Sequence, residues 1–144
     1  MQNKAQITAA YFAAVFCTSA LASIFSTQFV IAALQDVGVL IPFETRLSMT
    51  FHDLAIFETL LLVTAACFFV GFIVATTCVK HIGGARYIWF VLAGASALVS
   101  TLLLMTWHFQ LTPIAGARTL PGLTFQALAG AAGGLLFSRL THPK

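Results

Sequence analysis

The chain has 144 residues, of which 60% are hydrophobic and 8% charged, with a mean hydropathy of +0.98. That balance excludes an ordinary soluble domain and places the chain among bilayer-embedded proteins as one integral membrane domain, residues 1–144. The formal charge of +3 does not mark a nucleic-acid binder, because the basic residues stand singly at the ends of apolar runs instead of forming a patch.

After a short polar start ending at Lys4, the stretch from Ala5 to Gln35 carries no charge, and a first spanning helix is expected over about 7–34. Lys4 followed by an apolar segment and Ala20-Leu21-Ala22 resembles a cleavable signal peptide. The apolar run continues through Phe29 to Leu34, past the point where such a segment stops, and this favours a retained helix. Ser19, Ser23 and Thr27 recur every four residues on it, a stripe suited to packing against another helix or to bonding its own backbone, and less suited to lining a polar path.

Gln35 to Thr50 mixes Asp36, Pro42, Glu44 and Arg46 with Val37, Leu40 and Phe43, as expected of a connection lying at the membrane surface. Thr50, with Asp53 three residues on, reads as a capping pair, with Met49 able to pack against Leu54. A second spanning helix is therefore expected over about 51–79. Its uncharged part, Thr59 to Val79, rises about 1.5 Å per residue and so crosses a hydrocarbon core of roughly 30 Å. Lys80 to Arg86 contains Gly83-Gly84, a tight turn that makes the second and third helices neighbours.

The third helix is expected over about 87–107, with Tyr87 and Trp89 at one rim and Trp107 at the other. Ala93, Gly94, Ala97 and Thr101 give it a face of small side chains. A turn-rich connection from His108 to Arg118 follows. Thr119 then caps a fourth helix over about 120–139, with Pro121 in its first turn, where the missing donor costs nothing. Gly122, Gln126, Gly130 and Gly134 share one line of that helix and read as a packing stripe.

The fold expected is an all-α membrane protein, four transmembrane helices in an up-down-up-down bundle. Lys4, Lys80, Arg86, Arg139 and Lys144 then share one side against Arg46 and Arg118 on the other, and this places both termini in the cytoplasm of a plasma membrane, most simply a bacterial inner membrane. The four acids, Asp36, Glu44, Asp53 and Glu58, fall at the opposite face with His52 and His108. The candidate polar site is accordingly Glu58, His52, Asp53, His108, Arg118 and Arg46 at the outer mouth. Glu58 stands out because a carboxylate more than a turn inside a helix starting at Phe51 must be paired, protonated or wetted. The others have simpler uses: Asp53 as a cap, Arg46 and Arg118 as loop partners, the histidines as ordinary rim residues.

Cys17, Cys67 and Cys78 form no C-x-x-C pair and read as packing residues. No zinc or haem spacing is present, so no metal or cofactor is expected. The absence of a nucleophile-base pair in the sequence leaves an enzyme as the last reading. Two readings remain. The first is a non-catalytic accessory or scaffold subunit, contacting the lipid bilayer and either its own copies or a larger membrane protein. The alternative is an oligomeric ion, proton or small-solute transporter using Glu58.

Overall fold

The computed structural model describes residues 4–38, 42–55, 57–109 and 119–141, with side chains at all of these except 50–55, 57–60, 105, 108 and 109. Among the described residues the chain is all-helical, with five helices: α1 (Lys4–Asp36), α2 (Phe43–Ala55), α3 (Phe57–Ile82), α4 (Arg86–Phe109) and α5 (Leu120–Leu140). Four of them are long and apolar enough to cross a membrane, over Lys4–Asp36, Leu61–Ile82, Arg86–Leu104 and Leu120–Leu140.

The ends of these helices follow from local chemistry. Gly38, at φ 85°, closes α1 by donating its amide to the Gln35 carbonyl (2.9 Å). Gly83 and Gly84, at φ 74° and 92°, take the left-handed conformation that other residues resist, and the Gly83 amide reaches back to Val79 O at 3.2 Å. Trp89 locks this turn by donating Nε1–H to the Gly83 carbonyl (2.9 Å). Thr119 caps α5, its hydroxyl accepting from the Gly122 amide at 3.2 Å, with Pro121 in the first turn.

One expected boundary is corrected. Thr50 does not cap a helix beginning at Phe51, because it lies inside α2, whose helical backbone starts at Phe43. Pro42 begins that helix by offering its carbonyl to the Arg46 amide (3.1 Å), and Glu44 in the first turn complements the positive end of the backbone dipole. The mixed character of this segment is therefore the pattern of an amphipathic helix. A depth for Glu58 counted from a start at Phe51 loses its origin.

The four long helices pack in a ring: α1 against α3 and α5, and α4 against α3 and α5, with α2 beside α1. The tightest approach is between α4 and α5. A β-carbon on Gly94 would come within 3.0 Å of the Gly130 carbonyl carbon, and one on Gly134 within 2.7 Å of the Phe90 carbonyl carbon, so only glycine admits this crossing. Gly71 plays the same part more loosely on α3, 3.1 Å from the Ala97 β-carbon by the same measure. Phe68, Phe72, Phe90 and Phe137 fill the space between the helices at one end, Phe72 stacking on Phe137 with centroids 4.4 Å apart. Phe90 meets Phe72 edge-on at 5.4 Å and lies 5.1 Å from Phe137. Arg86 lies 5.1 Å over the Phe90 ring and donates from Nη2 to Thr141 Oγ1 at 2.8 Å, tying the start of α4 to the end of α5.

Candidate functional site

The residues that the sequence assigns to the outer mouth come from several elements. Arg46 is half-buried on α2, which also carries His52 and Asp53; Glu58 is on the backbone of α3 and His108 on that of α4. The side chains of His52, Asp53, Glu58 and His108, and the whole of Arg118, lie outside the described residues. No group of three or more His, Cys, Asp or Glu side chains comes together among the described residues.

The packing stripe on α5 divides between two neighbours. Gly130 and Gly134 lie against α4, at Gly94 and Phe90. Gln126, fully buried, turns instead to α1 and donates Nε2–H to the Ala22 carbonyl at 3.0 Å. Gly122 is buried beside the cap. Gly133, one residue off the stripe, seats α1 as well: a β-carbon there would overlap the Thr18 hydroxyl and approach Ala14 O at 3.1 Å.

The result is a polar seam through the interior. Thr18, Ser19, Ser23 and Thr27 of α1, Thr64 of α3 and Gln126 of α5 are all buried. Part of the seam is satisfied within the protein: Thr18 Oγ1 donates to Ala129 O at 3.3 Å and Thr27 Oγ1 to Ser23 O at 3.0 Å. Ser19 Oγ, Thr64 Oγ1 and Gln126 Oε1 are buried with no hydrogen-bond partner among the described residues. Such oxygens are costly to strand, and they can accept from water or a polar ligand. Nothing in the seam is ionisable, so it can orient and solvate but cannot by itself move a proton by titration.

Below the seam the contacts turn aromatic and sulfur-bearing. Tyr11 donates its hydroxyl to the Ala65 carbonyl and lies edge-on to Phe72 at 6.3 Å, while Cys67 Sγ and Thr101 Oγ1 meet at 2.8 Å between α3 and α4. The three cysteines are free and half-buried.

Comparison with protein-family models, with curated proteins and with solved structures finds no match to this chain. The site therefore rests on its own geometry. Sequence reasoning singled out Ser19, Ser23, Thr27 and Gln126 but missed Thr18, Thr64 and Gly133. Thr64, Phe68 and Phe72 recur every four residues on α3 and were a legible signal for the face of that helix that turns inward.

Proposed function

We propose that this chain is a non-catalytic accessory or scaffold subunit of a plasma membrane, folded as an up-down-up-down bundle with both termini cytoplasmic. The direction of the helices is supported by contacts that run in opposite order along each pair. Thr18 meets Ala129 and Ala22 meets Gln126 between α1 and α5; Phe90 meets Gly134 and Gly94 meets Gly130 between α4 and α5; Cys67 meets Thr101 and Gly71 meets Ala97 between α3 and α4. The orientation is supported by the basic residues, five against two.

The observation that carries the functional reading is the aromatic plug. Phe68, Phe72, Phe90 and Phe137 are each 7% exposed or less and close the bundle near the end that holds Arg86 and Thr141. A water-lined route through one bundle would have to pass these rings. The outward faces, by contrast, carry large exposed apolar side chains such as Phe16, Val70, Val74 and Leu104, a surface suited to lipid or to the helices of another membrane protein.

The specific observation on the other side is the set of stranded oxygens at Ser19, Thr64 and Gln126, which would suit a hydrated path in a transporter gated by Glu58. One experiment separates the readings. The purified full chain in liposomes should pass no protons, cations or small anions above the background of empty vesicles, while cross-linking in native membranes should trap it in a discrete complex. Flux from the wild type that Glu58→Gln abolishes without loss of fold would overturn the accessory reading in favour of transport.

A further inference from the structure

We infer that the crevice between α1 and α3 is a binding site for one anionic phospholipid, its acyl chain lying against the aromatic wall and its phosphate at Lys80 and His81. The inference rests on the reading that the bundle sits in a bilayer.

The crevice has a volume of about 770 Å³, within the range of sites that hold a discrete small molecule. Phe72 and Phe137 form its floor, Tyr11 and Phe12 one wall, and Phe69 and Ile73 the other. Phe72 and Phe137 are buried, whereas Phe12 is 59% and Phe69 62% exposed, so the walls stand open to whatever surrounds the bundle. From Phe69 to Lys80 the helix rises about 16 Å, close to the half-thickness of a hydrocarbon core of roughly 30 Å. The crevice therefore has the depth of one leaflet, and Lys80 and His81 stand where a headgroup would be.

The hydroxyls along the shaft spend their protons within the chain. Thr8 donates to Lys4 O at 3.1 Å, Thr76 to Phe72 O at 2.7 Å and Thr77 to Ile73 O at 2.9 Å, while the Tyr11 hydroxyl is spent on Ala65 O. The basic residues of the lining are Lys80 and His81, in the last turn of α3, the first bringing a charge and the second a ring N–H donor. Charge selects the headgroup. All four acids of the chain lie between Asp36 and Glu58, and Glu58 stands about 33 Å up the helix from Lys80, beyond a screening length of about 8 Å. Among the described residues no acidic side chain competes with a phosphate for Lys80, and Lys4 and Arg86 add positive field at the same end.

The test uses native mass spectrometry of the full chain extracted from membranes, titrated with phosphatidylglycerol or phosphatidylcholine of matched chains. One phosphatidylglycerol should be retained per chain in preference to phosphatidylcholine. Lys80→Gln should weaken retention on the order of fivefold and the double variant Lys80→Gln, His81→Gln more, whereas Arg139→Gln, a cation at the same end but outside the crevice, should not. Ile73→Trp, which fills the crevice without touching Lys80 or His81, should also exclude the lipid, and circular dichroism of each variant checks that the helices persist. Equal retention of both lipids, or equal loss with Arg139→Gln, would overturn the site and indicate only a basic surface. Retention of a second protein chain in the crevice would also overturn it. Recovery of the protein outside the membrane fraction would defeat the bilayer reading itself, a failure distinct from loss of lipid preference in a membrane-resident protein.

Discussion

The α4–α5 crossing gives the sharpest test of how the bundle is held. Gly130→Ala adds one methyl group where the backbone of α4 already lies. The new carbon would overlap the Gly94 carbonyl oxygen, stand 2.9 Å from its carbon and 3.2 Å from the Ala95 α-carbon. Ordinary contacts begin at about 3.3–3.5 Å and the carbonyl oxygen is the nearest atom, so the helices must part by roughly 1 Å at this point. None of the neighbouring atoms is the end of a flexible side chain, so the strain cannot be relieved by a rotamer change. A gap of that size forfeits up to about half of the attraction at each contact along the crossing, and because rigid backbone carries the clash the cost falls at the upper end of overpacking, about 2–3 kcal/mol. Alanine returns nearly 1 kcal/mol through its better helix propensity. The net expectation is a loss of about 1–2 kcal/mol, and more for Gly130→Leu. Reversible unfolding in a detergent titration, read by circular dichroism, measures it. Leu128→Ala, on the exposed side of the same helix, should change stability by no more than about 0.5 kcal/mol. A Gly130→Ala protein as stable as the wild type, or stabilised by the full propensity gain, would refute the close approach of the two backbones.

Three further outcomes follow from the same geometry. Gln126→Leu removes the bond to Ala22 O and should cost on the order of 0.6 kcal/mol, up to about 1.7, in the same unfolding assay; an unchanged midpoint would mean that α5 does not meet α1 through this side chain. Arg86→Gln loses both the contact over Phe90 and the bond to Thr141, and should cost about 1 kcal/mol and speed amide exchange in the last turn of α5, with Arg86→Lys recovering part of the cation–ring attraction; equal exchange in all three proteins would sink the assignment. For topology, a single cysteine at position 84 in a background lacking Cys17, Cys67 and Cys78 should resist an impermeant thiol reagent applied to intact cells and react after permeabilisation; labelling from outside would reverse the orientation.

Much of the architecture was legible in the amino-acid order alone. Four uncharged stretches, each long enough to cross a hydrocarbon core, could be little else than helices, because a chain in lipid has no solvent to satisfy its backbone. The glycine pair at 83–84 and the threonine and proline at 119 and 121 mark helix ends through strictly local chemistry, and the structure places turns and caps there. The Thr50–Asp53 pair is the counterexample. Its spacing has the form of a cap, but residues 43–49 are themselves competent to form a helix and do, so a local signal gave way to the helical continuity of α2.

What the sequence marked only in part, through small and hydroxyl residues at four-residue spacing, is which face of each helix looks inward. In a soluble protein the apolar stripe answers that question. Here every face is apolar, because lipid tails are as hydrophobic as a protein core, and the exposed Phe69 and the buried Phe68 are neighbours of one type. The inward faces are instead chosen by shape and by hydrogen bonds. Glycines at 94, 130 and 134 let two backbones meet, Gly133 makes room for Thr18, and Gln126 must find a carbonyl across the interface. Only the assembled bundle decides that Gly130 turns to α4 while Gln126 turns to α1, that four phenylalanines close one end, and that α1 and α3 part to leave a crevice ending at Lys80, because each outcome depends on which helices lie beside one another.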